Sequence, residues 1–166
     1  QDWMKAALTA RAGGLDPRSM RFVAFEGGGE AITALQGGHV QVYSGDASEA
    51  DEQIKAGAKI RVLAVLADKR LEGSLASVPT MKELGFDVQW PIIRGFYMGP
   101  KVSDADFKVW SDAFTKMMAT PEYDKLRAER GLFKFALTGK ELDAFIKDRM
   151  VAYRQLAADF NLKVAK

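Results

Sequence analysis

The feature that most constrains this chain is the run Gly27-Gly28-Gly29, set between an apolar segment, Arg21 to Phe25, and a helical pattern carrying Ile32, Ala34 and Leu35. Three glycines in that position break a strand, allow a tight turn and open a helix, which Gly37-Gly38 can then stop. The same rhythm continues downstream. Val40 to Tyr43 predicts a strand, Ser48 to Ala56 a helix with Ser48 as N-cap and Gly57 as C-cap, and Ile60 to Ala67 a further strand. Strands alternating with helices predict an α/β fold built on a parallel sheet.

Upstream, Trp3, Ala7, Leu8 and Ala12 predict an amphipathic helix that Gly13-Gly14 ends before the Asp16-Pro17 turn. After Val78-Pro79-Thr80 a short helix is expected to end near Gly85, and Val88 to Gly99 reads as extended chain interrupted by Pro91. From Ser103 the pattern is helical: Phe107, Trp110, Phe114 and Met117 share a face, Pro121 opens a second helix and Gly131 ends it. Thr138 and Glu141 predict a capping box for a last helix whose stripe is Leu142, Phe145, Ile146, Tyr153, Leu156 and Phe160, beside a short strand at Lys134 to Leu137. The parse is an α/β lobe over 1–91, a crossing segment over 92–101, and a helical part of another lobe over 102–166. Gln1-Asp2-Trp3-Met4 enters a helical pattern without a cap, and we read the sequence as part of a longer protein. The apolar C-terminal stripe then lacks part of its cover, so dimerisation or poor solubility of the isolated chain is expected.

Composition removes several function classes. The net charge of +2 arises from 24 basic and 22 acidic residues scattered along the chain, without the basic stripe that nucleic acid requires. There are no cysteines, hence no thiolate metal site or cysteine nucleophile. The glycine run lacks the Gly-Lys-Ser/Thr ending of a phosphate loop and the spaced glycines of a dinucleotide fold. His39 is the sole histidine and follows Gly38, with no second histidine for a metal and no Ser-His-Asp ordering, so a surface turn is its expected place. No cofactor is implied.

Three groups could carry binding chemistry. Backbone N–H groups at a helix start favour an anion, which makes Gly27, Gly28 and Gly29 a candidate carboxylate cradle, the alternative being a tight connection whose helix dipole Glu30 satisfies internally. Tyr43-Ser44-Gly45-Asp46-Ala47-Ser48 lies at the C-terminal end of an expected parallel strand, where open α/β sheets receive ligands. Ser44 and Ser48 could donate to carboxylate oxygens, with a helix cap as the alternative for Ser48. Arg94, in the apolar context Ile92-Ile93-Arg94-Gly95-Phe96, could grip a carboxylate with two N–H groups or serve a structural ion pair between lobes. Asp46, Glu49, Asp51 and Glu52 are expected on a solvated helix face.

Phe25-Glu26-Gly27-Gly28-Gly29-Glu30-Ala31, then Leu35-Gln36-Gly37-Gly38-His39-Val40, resembles the central signature of the Bug-type, or tripartite tricarboxylate transporter, receptors. Ile54-Lys55-Ala56-Gly57, Arg61-Val62-Leu63-Ala64-Val65, Lys69-Arg70, Val78-Pro79-Thr80-Met81-Lys82-Glu83 and Gly85 are similar to that family in wording and order, and Arg94-Gly95 resembles its tricarboxylate branch. The resemblance implies a periplasmic-binding-protein-like (type II) architecture of two α/β lobes, the first incomplete in this sequence, closing on an organic acid. It also implies a periplasmic, non-enzymatic receptor that passes a small carboxylate, whether citrate-like, dicarboxylate or amino acid, to membrane permease subunits. It carries ligand contact onto Gly27, Gly28, Gly29, Ala31, Ser44, Gly45 and Ser48, with Arg94 beside the crossing. Phe25-Glu26 stands where the family often has Tyr-Lys, and Ile92-Ile93 where it has Asn-Trp, which leaves ligand charge and size open. An α/β enzyme acting on a carboxylate, with His39 or Asp46 as acid–base group, and a ligand-sensing module are the alternatives from the residues alone.

Overall fold

Local sequence signals set the helix ends. The computed structural model describes residues 1–162, in which six α-helices form: α1 (Asp2–Ala12), α2 (Gly28–Gln36), α3 (Ala47–Lys55), α4 (Asp104–Met118), α5 (Pro121–Glu129) and α6 (Gly139–Asp159). Helices α1, α2 and α3 each run out towards a glycine with positive φ, Gly14, Gly38 and Gly57, a conformation that costs other residues about 1–2 kcal/mol. Helix α4 starts at Ser103, whose Oγ accepts from the Asp106 N–H at 3.1 Å. Helix α5 starts at Pro121, with the Thr120 hydroxyl accepting from the Tyr123 N–H at 3.2 Å. No helix among the described residues is long and apolar enough to cross a membrane.

Two expected caps are corrected, each because a tertiary partner claims the side chain. Helix α3 is capped at Asp46 rather than Ser48, and the Asp46 carboxylate makes no capping bond because it is held by Lys5 and Arg94. Ser48 accordingly falls inside the helix. The Thr138–Glu141 capping box does not form either: the Thr138 side chain makes no cap bond, and its hydroxyl lies 3.2 Å from that of Thr115. A reciprocal box forms instead at Thr80 and Glu83, where the Thr80 N–H donates to Glu83 Oε2 at 2.8 Å and the Glu83 N–H to Thr80 Oγ1 at 3.1 Å. It supports a hydrogen-bonded turn ending at Gly85, not the helix expected there.

The larger correction concerns the sheet. Among the described residues the segments at Arg21 to Phe25, Val40 to Tyr43, Ile60 to Ala67, Val88 to Gly99 and Lys134 to Leu137 form no ladder; one isolated parallel bridge joins Val65 to Thr80. It is closed by Val65 N–H to Pro79 O and Met81 N–H to Val65 O, both 3.0 Å. Strand propensity expresses how well a side chain fits a pleated, half-buried surface, and without paired neighbours that surface does not exist. Val23, Val42 and Leu63, residues a sheet would cover, are exposed.

The chain divides into two units. One comprises Gln1–Gly95 and Leu126–Phe133. In it α2 packs on α3 and α1 on a 3-10 turn at Pro17–Ser19, around buried Ala7, Ile32, Ala50, Val65, Leu75, Met81, Val88 and Trp90. The other comprises Phe96–Lys125 and the chain from Lys134. There Phe96 stacks on Phe114 with centroids 4.9 Å apart, and Phe135 meets Phe145 at 4.9 Å. The α6 stripe is half-buried from Leu142 to Leu156 and buried at Phe160, whereas Phe107, Trp110 and Met117 of α4 are exposed.

Candidate functional site

The glycine turn keeps its helix start open. Gly27 is the N-cap of α2, with φ −160° and ψ 164°, and the first bond of the helix runs from the Ala31 N–H to Gly27 O at 3.2 Å. The N–H groups of Gly28, Gly29 and Glu30 therefore precede the intrahelical ladder, the arrangement that gives a helix start its partial positive charge. Glu30 folds back, its Oε2 accepting from the Glu26 N–H at 3.3 Å. Fully buried Ile32 anchors the helix, leaving Ala31 half-buried in the first turn.

The three glycines differ physically. A Cβ at Gly28 would run into the Glu49 carboxylate and the Tyr43 hydroxyl, and a Cβ at Gly45 into the Tyr43 ring. Gly28 and Gly45 are thus the two flat surfaces between which Tyr43 passes, its hydroxyl donating to Glu49 Oε2 at 2.9 Å. Burial, reinforced by the bond to a carboxylate, pushes the Tyr43 pKa up. Around Gly27 and Gly29, by contrast, a Cβ would meet nothing within 4 Å, and neither has a left-handed φ. Internal packing explains the middle glycine and leaves the outer two unexplained.

Beside this turn lies a charge network. The Asp46 carboxylate accepts from Arg94 at 2.5 Å and from Lys5 at 3.5 Å, and Lys5 also pairs with Asp2 at 2.7 Å. Lys5 is only 3% exposed, and two carboxylates flank its buried ammonium group. Ser44 Oγ donates to Asp2 O at 3.4 Å, tying the same turn to the start of α1. The Arg94 side chain remains 58% exposed while paired, and a guanidinium has five N–H donors, so the ion pair does not exhaust it. Structural ion pair and outward-facing donor coexist in one residue.

Gly27, Gly28, Gly29, Ala31, Ser44, Gly45 and Arg94 are in this way linked through Tyr43, Asp46 and α1. Ser48 is not: it lines a separate recess of about 160 Å³ with Asp51, Lys55, Ser74 and the Leu71–Leu75 segment. Asp51, expected on a solvated face, is buried at 5% exposure, with Oδ1 accepting from Ser74 Oγ at 2.5 Å and Oδ2 paired to Lys55 at 2.6 Å. Burial alone would raise its pKa, but the bonds from Lys55 and Ser74 outweigh it and hold the carboxyl below its ordinary value. His39 is exposed in the turn after α2. Among the described residues no group of three or more His, Cys, Asp or Glu could hold a metal ion. Sequence reasoning missed the Tyr43–Glu49 bond and the Lys5–Asp46–Arg94 network. The one local sign of the first was a tyrosine two residues before a glycine.

Comparison with known proteins agrees with the ordered motifs. Residues 9–162 match the model of the tripartite tricarboxylate transporter family receptors. The chain is 26% identical over 145 residues to the "UPF0065 protein in gbd 5'region" of Cupriavidus necator. The match covers 87% of this chain and 43% of that protein, so the chain spans less than half the length of the curated relative it matches. No solved structure matches it. The matching family comprises solute-binding receptors with a periplasmic-binding-protein-like fold. A family match over nearly the whole chain, carrying the glycine turn and Arg94 in one span, means that this chain belongs to the tripartite tricarboxylate transporter receptor family.

Proposed function

We propose that the protein is a periplasmic solute-binding receptor that captures a small organic acid and delivers it to the membrane permease subunits of a tripartite tricarboxylate transporter, making and breaking no covalent bond. The observation that carries this reading is the pair Gly27 and Gly29. They have no crowding neighbour and no left-handed φ to account for them, yet they flank a helix start whose N–H groups suit a carboxylate. The exposed guanidinium of Arg94, oriented by Asp46, supplies a cation near the adjoining turn. In this reading the N–H groups of Gly27, Gly28 and Gly29 and the Ser44 hydroxyl bind carboxylate oxygens. Ala31 and Gly45 keep the walls low and Arg94 supplies charge, while Ser48, in its separate recess, takes no part in this site.

The architecture proposed with it is that of a two-lobe type II binding protein, with 1–91 in one lobe, 92–101 crossing, and 102–166 in the other. Closure of two lobes on the acid would then present a distinct surface to the permease. A thermal-shift screen of the full-length protein against mono-, di- and tricarboxylates and amino acids tests the reading. A ligand that binds the folded state raises the melting temperature by mass action, by about 2.7 kcal/mol of stabilisation at a hundredfold excess over Kd. One acid class should do so, and no shift with any acid would reject the receptor reading.

A further inference from the structure

The cations at this site already face a carboxylate of the protein's own. Asp46 Oδ2 takes an N–H of Arg94 at 2.5 Å while Oδ1 lies 3.5 Å from Lys5, and Lys5, 3% exposed, is shared with Asp2. Of these two cations, Arg94 is the one that faces solvent. Acids predominate in this part of the protein: Glu26 and Glu30 are at the glycine turn, Glu49 lies against Gly28, and Asp46 and Asp2 belong to the network itself. A ligand carboxylate could accept from the N–H groups of Arg94 that Asp46 leaves open. A second or third carboxylate on the same molecule would find Asp46 and the glutamates instead of a cation.

On the receptor reading above, on which this inference rests, we propose that Asp46 is a specificity-determining residue that restricts the ligand to one net carboxylate, a monocarboxylate or an amino acid, and disfavours di- and tricarboxylates. Asp46 does this in two ways. With Asp2 it leaves the network of Arg94 and Lys5, two cations against two carboxylates, with no net positive charge, so that a ligand is held by the hydrogen bonds one carboxylate can accept from Arg94, and its own carboxylate repels additional ones nearby. In an amino acid, the ammonium group finds in this acidic surround the partner that an extra carboxylate lacks. Selectivity here arises from a repulsive element built into the protein as much as from an attractive one.

The test is calorimetric titration of full-length wild type, Asp46→Asn and Asp46→Glu with matched mono-, di- and tricarboxylates and amino acids of two to six carbons. Each protein is read as the ratio of its Kd values for multiply and singly charged acids. Such a ratio does not depend on the fraction of active protein, so partial unfolding of a variant does not blur it. Wild type should prefer the singly charged class. Asp46→Asn should move the ratio at least tenfold towards di- and tricarboxylates, equivalent to about 1.4 kcal/mol, while Asp46→Glu keeps the wild-type order. Binding of acids with a ratio unmoved by Asp46→Asn, or a wild-type preference for tricarboxylates, would overturn the role of Asp46 and leave the receptor reading standing. Wild type that binds no acid would overturn both.

Discussion

Replacing Gly28 and Gly29 separately by alanine should have opposite effects, although the two residues are adjacent in the same helix turn. A Cβ at position 28 displaces the Glu49 carboxylate and the Tyr43 hydroxyl, and so breaks the 2.9 Å bond between them. Hydrogen bonds to a charged group contribute about 1.5–3 kcal/mol. Alanine returns part of this through helix propensity, up to about 1 kcal/mol in a helix interior and less in the first turn. The net expectation for Gly28→Ala is a loss of about 1–2 kcal/mol. At position 29 nothing lies within 4 Å of the new Cβ and only the propensity gain remains, so Gly29→Ala should be neutral or stabilising by up to about 1 kcal/mol. Urea unfolding at constant m-value reads both as shifts in midpoint. In a Glu49→Ala, Tyr43→Ala background the penalty at position 28 should disappear, giving a coupling energy of about 1 kcal/mol or more. Equal effects at the two positions, or a penalty at 28 that survives that background, would refute the account of Tyr43 passing between Gly28 and Gly45.

Other expectations follow from the same contacts. Tyr43→Phe should cost about 1–2 kcal/mol by urea unfolding near neutral pH. Because the folded pKa of Tyr43 is raised, its contribution is complete below the unfolded value of about 10 and is lost as pH rises above it, so wild type and Tyr43→Phe should converge in strongly alkaline buffer. Asp51→Asn should destabilise by about 1–2 kcal/mol through loss of the Lys55 pair. The folded pKa of Asp51 is lowered, so its contribution is present above the unfolded value of about 3.9 and is lost as pH falls through the folded value; the gap to Asp51→Asn should close in acid denaturation experiments. Thr138→Ala, removing a residue whose hydroxyl faces Thr115 instead of capping α6, should cost less than the roughly 1 kcal/mol typical of a working cap, and Ser103→Ala should cost about that much.

What the sequence made legible was what neighbouring residues decide. Gly14, Gly38 and Gly57 mark helix ends because positive φ is a local demand, and Ser103 and Thr120–Pro121 mark helix starts because a cap is a local bond. The sheet was not legible in that sense: Val23, Val42 and Leu63 carry strand propensity, but a ladder is a non-local pairing, and the described residues form one bridge, Val65 to Thr80. The caps of α3 and α6 were misread because Asp46 and Thr138 are held by residues far away in sequence, Lys5 and Arg94 for the first and Thr115 for the second. The candidate site divides along the same line. The glycine turn and Arg94 stood out locally, while Tyr43 lying between two glycines and Lys5 buried beside Asp46 needed the fold to bring them together. Asp51 went unnoticed because an acid next to a lysine one helical turn away looks solvated until Ser74 closes over it.

The central claim, that a small acid binds at the glycine turn beside Arg94, is tested most directly by titrating that acid into full-length wild type and Arg94→Ala in parallel. The account predicts saturable one-site binding to wild type and a loss of at least tenfold in affinity in Arg94→Ala, about 1.4 kcal/mol or more. It also predicts a comparable loss in Gly29→Val, whose side chain would stand in the open space beside the helix start. Binding of equal strength in all three proteins would place the ligand elsewhere and contradict the account.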